Sequence, residues 1–281
     1  LPIQAFFIYI VFISVLYGLS QKPRIEQVKP MLTDEEIDSK NSQYIHLSPE
    51  EILQDASNLF PGRVVFSSSL GLEDQAITHI IAKSGLPIQI FTLDTGRLFE
   101  KTYELIDRTE SMYGIKIRLL FPDRESVENL VQESGVNCFY ESVEARIRCC
   151  HVRKIEPLQR ALAEGDAWIS GLRRGQSAYR STAPFIEQDT VNAKIKINPI
   201  LPWSMEDLRD FIKKNRIPYN PLHDSGYPSI GCAPCTRAVE PGEDSRSGRW
   251  WWENGNRECG LHLKHGEEPL EKRASERTAA R

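Results

Sequence analysis

Arg63-Val64-Val65-Phe66-Ser67-Ser68-Ser69-Leu70-Gly71-Leu72-Glu73-Asp74 passes from an apolar run into a serine turn and then into an amphipathic repeat. Val64-Val65-Phe66 is short and continuously apolar, the signature of a parallel strand buried on both faces. After the turn, Ala76, Ile77, Ile80 and Ile81 recur at helical spacing. Strand, polar turn and helix form the first half of a βαβ unit. The pattern then repeats. Ile88–Leu93 reads as a strand stopping at Asp94-Thr95-Gly96, followed by a helix from Leu98 to Tyr113 and a strand at Ile115–Leu120. Helices follow at Ser126–Glu133 and Val143–Glu164, then strands at Ala167–Ser170 and Lys194–Asn198. Ser48–Asn58 is a helix ahead of the first strand, and Ser204-Met205-Glu206-Asp207 opens another with N-cap chemistry. The class is therefore α/β: a mostly parallel sheet with helices on both faces. Ligands in such sheets bind at the carboxyl ends of strands, which singles out the loops at 67–74, 94–97 and 171–174.

The chain has 281 residues, 40% apolar and 26% charged, which suits a globular protein with a proper core. A net charge of −4 leaves no global basic field for nucleic acid. Residues 46–240 read as the folded α/β domain. Residues 1–45 read as an N-terminal extension, and residues 241–281 as a flexible tail that loses periodicity and ends in charge. Residues 1–21 carry no charged side chain. Three readings stay open for them: a bilayer anchor, a signal-peptide core lacking a positive n-region, or an over-extended start before Met31. If they are an anchor, Lys22, Arg24 and Lys29 keep the rest of the chain cytoplasmic. Membrane contact is expected only in that case.

Six cysteines are too few for a disulfide-stapled scaffold, but their placement is informative. Cys149 and Cys150 are adjacent, and Cys232-Ala233-Pro234-Cys235 is a C-x-x-C turn. Four thiolates in two close pairs can hold one tetrahedral metal or one iron–sulfur cluster. Neighbouring side chains on a helix diverge by about 100°. That favours a [4Fe–4S] cluster over zinc, because its irons are well separated. Cys259, in Glu258-Cys259-Gly260-Leu261-His262, has no partner cysteine. With His262, Lys264 and His265 close by, it reads as a thiolate nucleophile, with an incidental tail cysteine as the alternative. Cys138 reads as a core residue.

The turn at Ser67, Ser68 and Ser69, with the helix behind it, forms an anion cradle, although serine turns are also common caps. Gly171-Leu172-Arg173-Arg174 and Arg180 follow a strand and suit bidentate binding of phosphate or sulfate oxygens, the alternative being a solvated charged loop. Arg146, Arg148, Arg153 and Lys154 add positive charge around the cysteine pair, and Arg246 and Arg249 lie between Cys235 and Cys259. Cations clustered locally in a net-negative chain suit a small anionic substrate.

Together with Leu93-Asp94-Thr95-Gly96-Arg97 and Ser170-Gly171-Leu172-Arg173-Arg174, the three cysteine motifs resemble the assimilatory adenylyl-sulfate (adenosine 5′-phosphosulfate) reductases of iron–sulfur type. The resemblance spans about residues 50–265. It implies an adenine nucleotide alpha-hydrolase-like sheet and a [4Fe–4S] cluster on Cys149, Cys150, Cys232 and Cys235. Cys259 would be the nucleophile. Ser67, Ser68, Ser69, Leu93 and Gly171 would hold the nucleotide. Lys154, Arg173 or Arg174, Arg180, Arg246, Arg249 and His262 would surround the phosphosulfate. Thioredoxin or glutaredoxin would supply electrons, in the cytoplasm. The related pyrophosphatases carry a glycine-rich S-G-G-x-D turn, and Ser67–Gly71 departs from it, which speaks against cradling pyrophosphate. Reduction of the 3′-phosphorylated nucleotide and a non-catalytic zinc or iron–sulfur module remain as alternatives.

Overall fold

The strand that opens the repeat, β1 (Val64–Ser67), lies at the centre of a six-stranded sheet. The computed structural model describes residues 32–177 and 180–253. The strands are β1, β2 (Gln89–Leu93), β3 (Arg118–Leu120), β4 (Ala167–Ile169), β5 (Ile186–Asp189) and β6 (Lys194–Ile197), in the order β3-β2-β1-β4-β6-β5. All pairings are parallel except β5 with β6. β1 alternates its side chains between two buried layers. Val64 and Phe66 enter the larger core with Ile169, Ile195 and Ile197, while Val65 packs on the other face with Phe91, Trp168 and Leu158. Helices on both faces complete the α/β layering.

The helices are α1 (Asp34–Tyr44), α2 (Pro49–Leu59), α3 (Leu72–Lys83), α4 (Glu100–Tyr113), α5 (Arg124–Ser134), α6 (Val143–Cys150), α7 (Glu156–Leu162) and α8 (Met205–Asn215). Ala76, Ile77, Ile80 and Ile81 of α3 are all buried, as their spacing predicts. Helix α8 starts at a capping box of Ser204 with Asp207. Helix α4 ends at Gly114, whose φ of 64° is a left-handed C-cap that glycine adopts without steric cost.

The structure departs from the sequence reading in four places. Strand β5 was not expected. It is an antiparallel edge strand with one buried apolar residue, Ile186, so it carries little periodic signal. The helix expected over 143–164 is α6 and α7 joined through a π-helical segment, His151–Ile155. Helix α1, placed by sequence in the N-terminal extension, packs onto the sheet. Ile37 and Tyr44 join the core, and Asn41 hydrogen-bonds the backbone of Phe185 and Ile186. Residues 241–253, placed in the flexible tail, include Trp250 and Glu253, which are both buried. The apolar residues 1–21 lie outside the described residues. Among the described residues, no helix is long and apolar enough to cross a membrane.

Candidate active site

The strand order reverses between β1 and β4: β1 connects onward to β2 on one side and has β4 on the other. The crevice at the carboxyl ends of these strands is the expected ligand position in such a sheet. It is bordered by the loop after β1 (68–71) and the loop after β4 (170–174). Leu70 takes φ of 61°, a left-handed conformation uncommon outside glycine, and its side chain is buried.

The serine turn is not an open cradle. Ser69 donates both its backbone N–H (2.5 Å) and its hydroxyl (2.6 Å) to Asp74 Oδ2. Ser68 Oγ accepts from Leu70 N at 3.2 Å. Asp74 is buried, and burial pushes its pKa up to about 6, against the lowering effect of the Ser69 hydrogen bonds. Gly171 passes directly over this carboxylate. A Cβ there would fall within 3.0 Å of Glu73 Cβ and 3.1 Å of Asp74 Cγ. Ser67 and Leu93 lie half-buried at the ends of β1 and β2, on the same edge of the sheet.

The arginines after β4 divide by environment. Arg173 is buried and donates Nε and Nη2 to Glu73 Oε1 at 2.9 and 2.7 Å, with Nη1 on the Trp203 carbonyl. It ties the start of α3 to the 171–176 loop. Arg180 is buried, donates to Gln176 Oε1 at 2.5 Å and acts electrostatically on Asp74. Arg174 is exposed, donates to the Ala183 carbonyl, and lies 5.8 Å from the Phe185 ring centroid.

The two cysteine pairs come together. Cys149, Cys150, Cys232 and Cys235 share one buried cluster with Cys138, Phe139, Leu130 and Trp250, and all five cysteines are free thiols. The adjacent pair stands where α6 gives way to the π segment. Pro234 starts the tight turn of the other pair, and Tyr140 donates to the Pro234 carbonyl at 2.7 Å. Arg97 joins the pieces. It donates to the Val136 carbonyl and to Asn137 Oδ1, lies 5.1 Å from the Phe139 ring centroid, and accepts from Ala233 N through its carbonyl.

Cations surround this shell. Burial raises the Cys232 thiol pKa, but Lys154, a contact from Thr95 Oγ1 at 3.3 Å, Arg249 and Arg153 outweigh that and lower it. Burial and then Cys232 push Cys235 up to about 12. Burial also raises Cys149, with Arg153 opposing. Arg153 itself is fixed by donating to the Thr95 carbonyl at 2.8 Å, so the shell adjoins the loop after β2. Arg249 lies flat on Gly231, where a Cβ would come within 2.5 Å of its Cζ, and its guanidinium is 4.7 Å from the Trp250 ring centroid. Arg246 is half-buried at the start of this segment.

Among the described residues, no set of three or more His, Cys, Asp or Glu side chains is arranged to hold a metal ion. The donor chemistry nonetheless fits an iron–sulfur group. Four free thiols are buried together beside cations that offset thiolate charge. Trp250 Nε1, Trp252 Nε1 and Arg249 Nε are buried donors without a partner among the described residues. Sulfur atoms of a cluster would accept hydrogen bonds at such a place.

The C-terminal segment is bound into the same shell. Arg146 donates Nε and Nη2 to the two Glu253 carboxylate oxygens at 2.9 and 2.8 Å, with both side chains nearly inaccessible. Arg146 also lies 4.7 Å from the Trp250 ring centroid, so the indole contacts both Arg146 and Arg249. Cys259 and His262 lie outside the described residues. The sequence reading singled out the stretches that hold Asp74, Thr95 and Arg97 but gave those residues no role, and it did not weigh Glu253. The nearest available signal was the position of Asp74 one helical turn after the serine turn.

Known proteins resemble the chain in sequence and in fold. Residues 63–238 match the model of the phosphoadenosine phosphosulfate reductase domain. Over 208 residues the chain is 53% identical to an adenosine 5′-phosphosulfate reductase of Agrobacterium fabrum, covering 74% of this chain and 80% of that one. Over 200 residues it is 54% identical to an adenosine 5′-phosphosulfate reductase of Allochromatium vinosum, covering 71% and 78%. A crystal structure of phosphoadenylyl-sulfate reductase from Candida auris in complex with phosphate superposes with a TM-score of 0.65 at 30% identity, covering 75% of this chain and all of that one. The match runs from the strand that opens the crevice to just beyond the C-x-x-C turn, and on that extent the chain belongs to the phosphoadenosine phosphosulfate reductase family.

Proposed function

We propose that the chain is an oxidoreductase that reduces adenosine 5′-phosphosulfate to sulfite and AMP in sulfate assimilation. The observation that carries this reading is the cation-ringed shell of four buried cysteines beside the nucleotide crevice. Relatives more than half identical are named for this reaction.

The crevice between the loops after β1 and β4 takes the nucleotide, bordered by Ser67, Ser68, Ser69, Leu93 and Gly171. The Asp74 carboxylate already uses the Ser69 donors. The anionic end of the substrate therefore belongs on the cationic side, with Lys154, Arg246 and Arg249, and with Arg174 and Arg180 from the loop after β4. Arg173 acts by holding that loop to Glu73. His262 joins from the C-terminal segment.

The Cys259 thiolate attacks the sulfur of the sulfo group. An S–S bond forms, the S–O bond to the phosphate breaks, and AMP leaves with that electron pair. The cations offset repulsion between a thiolate and a dianionic ester and stabilise charge on the departing phosphate. A dithiol protein, thioredoxin or glutaredoxin, then attacks Cys259 Sγ and expels sulfite. Its second thiol displaces the Cys259 thiolate, so the partner supplies both electrons and leaves as a disulfide. Cys149, Cys150, Cys232 and Cys235 would hold a [4Fe–4S] cluster, which would organise the basic wall and tune its field. Free thiols at the five described cysteines suit a reducing, cytoplasmic setting.

The test is a sulfite assay on both nucleotides, with iron and labile-sulfide analysis. Turnover of adenosine 5′-phosphosulfate by a brown protein with about four irons is the expected result. Preference for the 3′-phosphorylated nucleotide, or a colourless zinc protein without turnover, overturns the reading.

A further inference from the structure

A [4Fe–4S] cluster takes four thiolates, and the buried shell holds five thiols. The fifth, Cys138, opens the 3₁₀ turn Cys138–Tyr140 and is 2% exposed. Its turn is fastened to the C-x-x-C turn from both sides. Before it, Arg97 donates to the Val136 carbonyl at 2.7 Å and to Asn137 Oδ1 at 2.8 Å, while the Arg97 carbonyl accepts from Ala233 N at 2.8 Å. After it, Tyr140 donates to the Pro234 carbonyl at 2.7 Å. Cys138 also neighbours Cys149. Burial and then Arg153 act most on the Cys149 thiol, but among nearby thiols Cys138 raises its pKa more than Cys232 does. Charge effects fall with distance, so Cys138 is as much a neighbour of Cys149 as the opposite pair is. A second observation marks the place as one that holds a ligand. Trp250, almost wholly buried in the same shell, leaves Nε1 without a partner among the described residues. Cys149 and Cys150 are successive on a helix and diverge, whereas Cys138 comes from a separate element and carries no such constraint.

We propose that Cys138 is a reserve ligand of the cysteine shell, whose thiolate takes the iron that Cys149 holds when Cys149 is lost as a ligand. The inference rests on the reading of the shell as an iron–sulfur centre. The exchange moves no electrons. The bond from Cys149 Sγ to iron breaks, and its thiolate leaves with the pair and takes up a proton. The Cys138 thiol gives its proton to solvent, and a bond from Cys138 Sγ to iron forms. Cys150, Cys232 and Cys235 keep their irons. Cys138 is not among the principal groups acting on Cys235, so substitution there leaves no reserve.

The experiment reconstitutes each protein anaerobically with ferrous iron and sulfide, then measures iron, labile sulfide and visible absorption. AMP affinity reports whether the crevice is folded. The unaltered protein and Cys138→Ala are each expected to hold about four irons. Cys149→Ala should keep more than about half of that iron, whereas Cys138→Ala/Cys149→Ala and Cys235→Ala should each keep less than about a tenth. Iron lost from Cys149→Ala as fully as from Cys235→Ala, with AMP still bound, overturns the reserve. So does equal iron in Cys149→Ala with and without Cys138. Loss of iron from Cys138→Ala alone overturns it as well, because a reserve is not needed while Cys149 is in place. If Cys149→Ala does not bind AMP, the comparison is made in Cys149→Ser, which is closer in volume. There the proposal stands only if iron is held with Cys138 and lost without it. Unaltered protein that takes up no iron is a different failure, because it removes the iron–sulfur reading itself.

Discussion

Gly171 crosses the Asp74 carboxylate so closely that no side chain fits between the loop after β4 and the first turn of α3. The contact joins the two loops that border the crevice, and its neighbour, the Arg173–Glu73 pair, pins the same loop from the other side. Gly171→Ala is expected to cost about 3 kcal/mol by overpacking, and to weaken AMP binding as the loops separate. Adding Asp74→Ala should recover part of that stability, because the obstructing carboxylate is gone. Thermal unfolding of the two single variants and the double variant measures the coupling, and purely additive losses would refute the contact.

Asp74 gives the crevice a pH signature. Its folded pKa, about 6, stands above the usual aspartate value because burial penalises the charge. Between roughly pH 4 and pH 6 the folded state therefore holds a proton that the unfolded state has released. Stability from this group is full below that window and declines as pH rises through it. A displacement of about two units corresponds to about 3 kcal/mol. Asp74→Asn lacks this titration. Unfolding free energies from pH 4 to pH 8 should show the unaltered protein losing stability relative to Asp74→Asn as pH rises, and parallel curves would count against it.

What could be read in advance follows from the range of the interactions. The central strands, the α3 face and the cysteine pairs are written in local spacing: Val64–Phe66 is a continuous apolar run, and Cys232 and Cys235 share one turn. β5 escaped because only Ile186 of its four residues is buried. Arg173 reads as an anion ligand from its loop, but Glu73, 100 residues away, takes its guanidinium. Glu253 lies 107 residues from Arg146, and only the fold brings them together. Neither pairing leaves any local trace. The π segment did leave a local trace that went unused: Pro157, two residues beyond His151–Ile155, removes a backbone donor inside the helix expected over 143–164.

Trp250 connects the segment 248–253 to the cysteine shell. It is almost wholly buried, and the guanidinium groups of Arg146, on the cysteine-bearing helix, and of its chain neighbour Arg249 each lie 4.7 Å from its ring centroid. Trp250→Ala should cost about 3–5 kcal/mol, as large aromatic deletions do. It should also speed iron loss to a chelator, read as decay of visible absorption. Trp250→Phe retains a ring against the guanidinium groups and should lose less of both. Iron loss at the unaltered rate in Trp250→Ala would separate the indole from the integrity of the shell.

Lys154 distinguishes a cation that serves the reaction from one that serves the fold. It is half-buried on the π segment and is foremost among the groups that lower the Cys232 thiol pKa. Lys154→Met keeps most of the aliphatic stem and removes the charge, so packing is largely conserved. If the charge stabilises the departing phosphate, kcat should fall about a hundredfold while iron content and melting temperature change little. Lys154→Arg restores charge with a different shape and should recover only part of the rate. Raising ionic strength should cut kcat/KM in the unaltered enzyme more than in Lys154→Met, because one of the charges being screened is missing in the variant. A Lys154→Met enzyme with unaltered kcat, or one whose loss of activity tracks loss of iron, would mean that the ammonium group supports the cysteine shell rather than the transferring sulfo group.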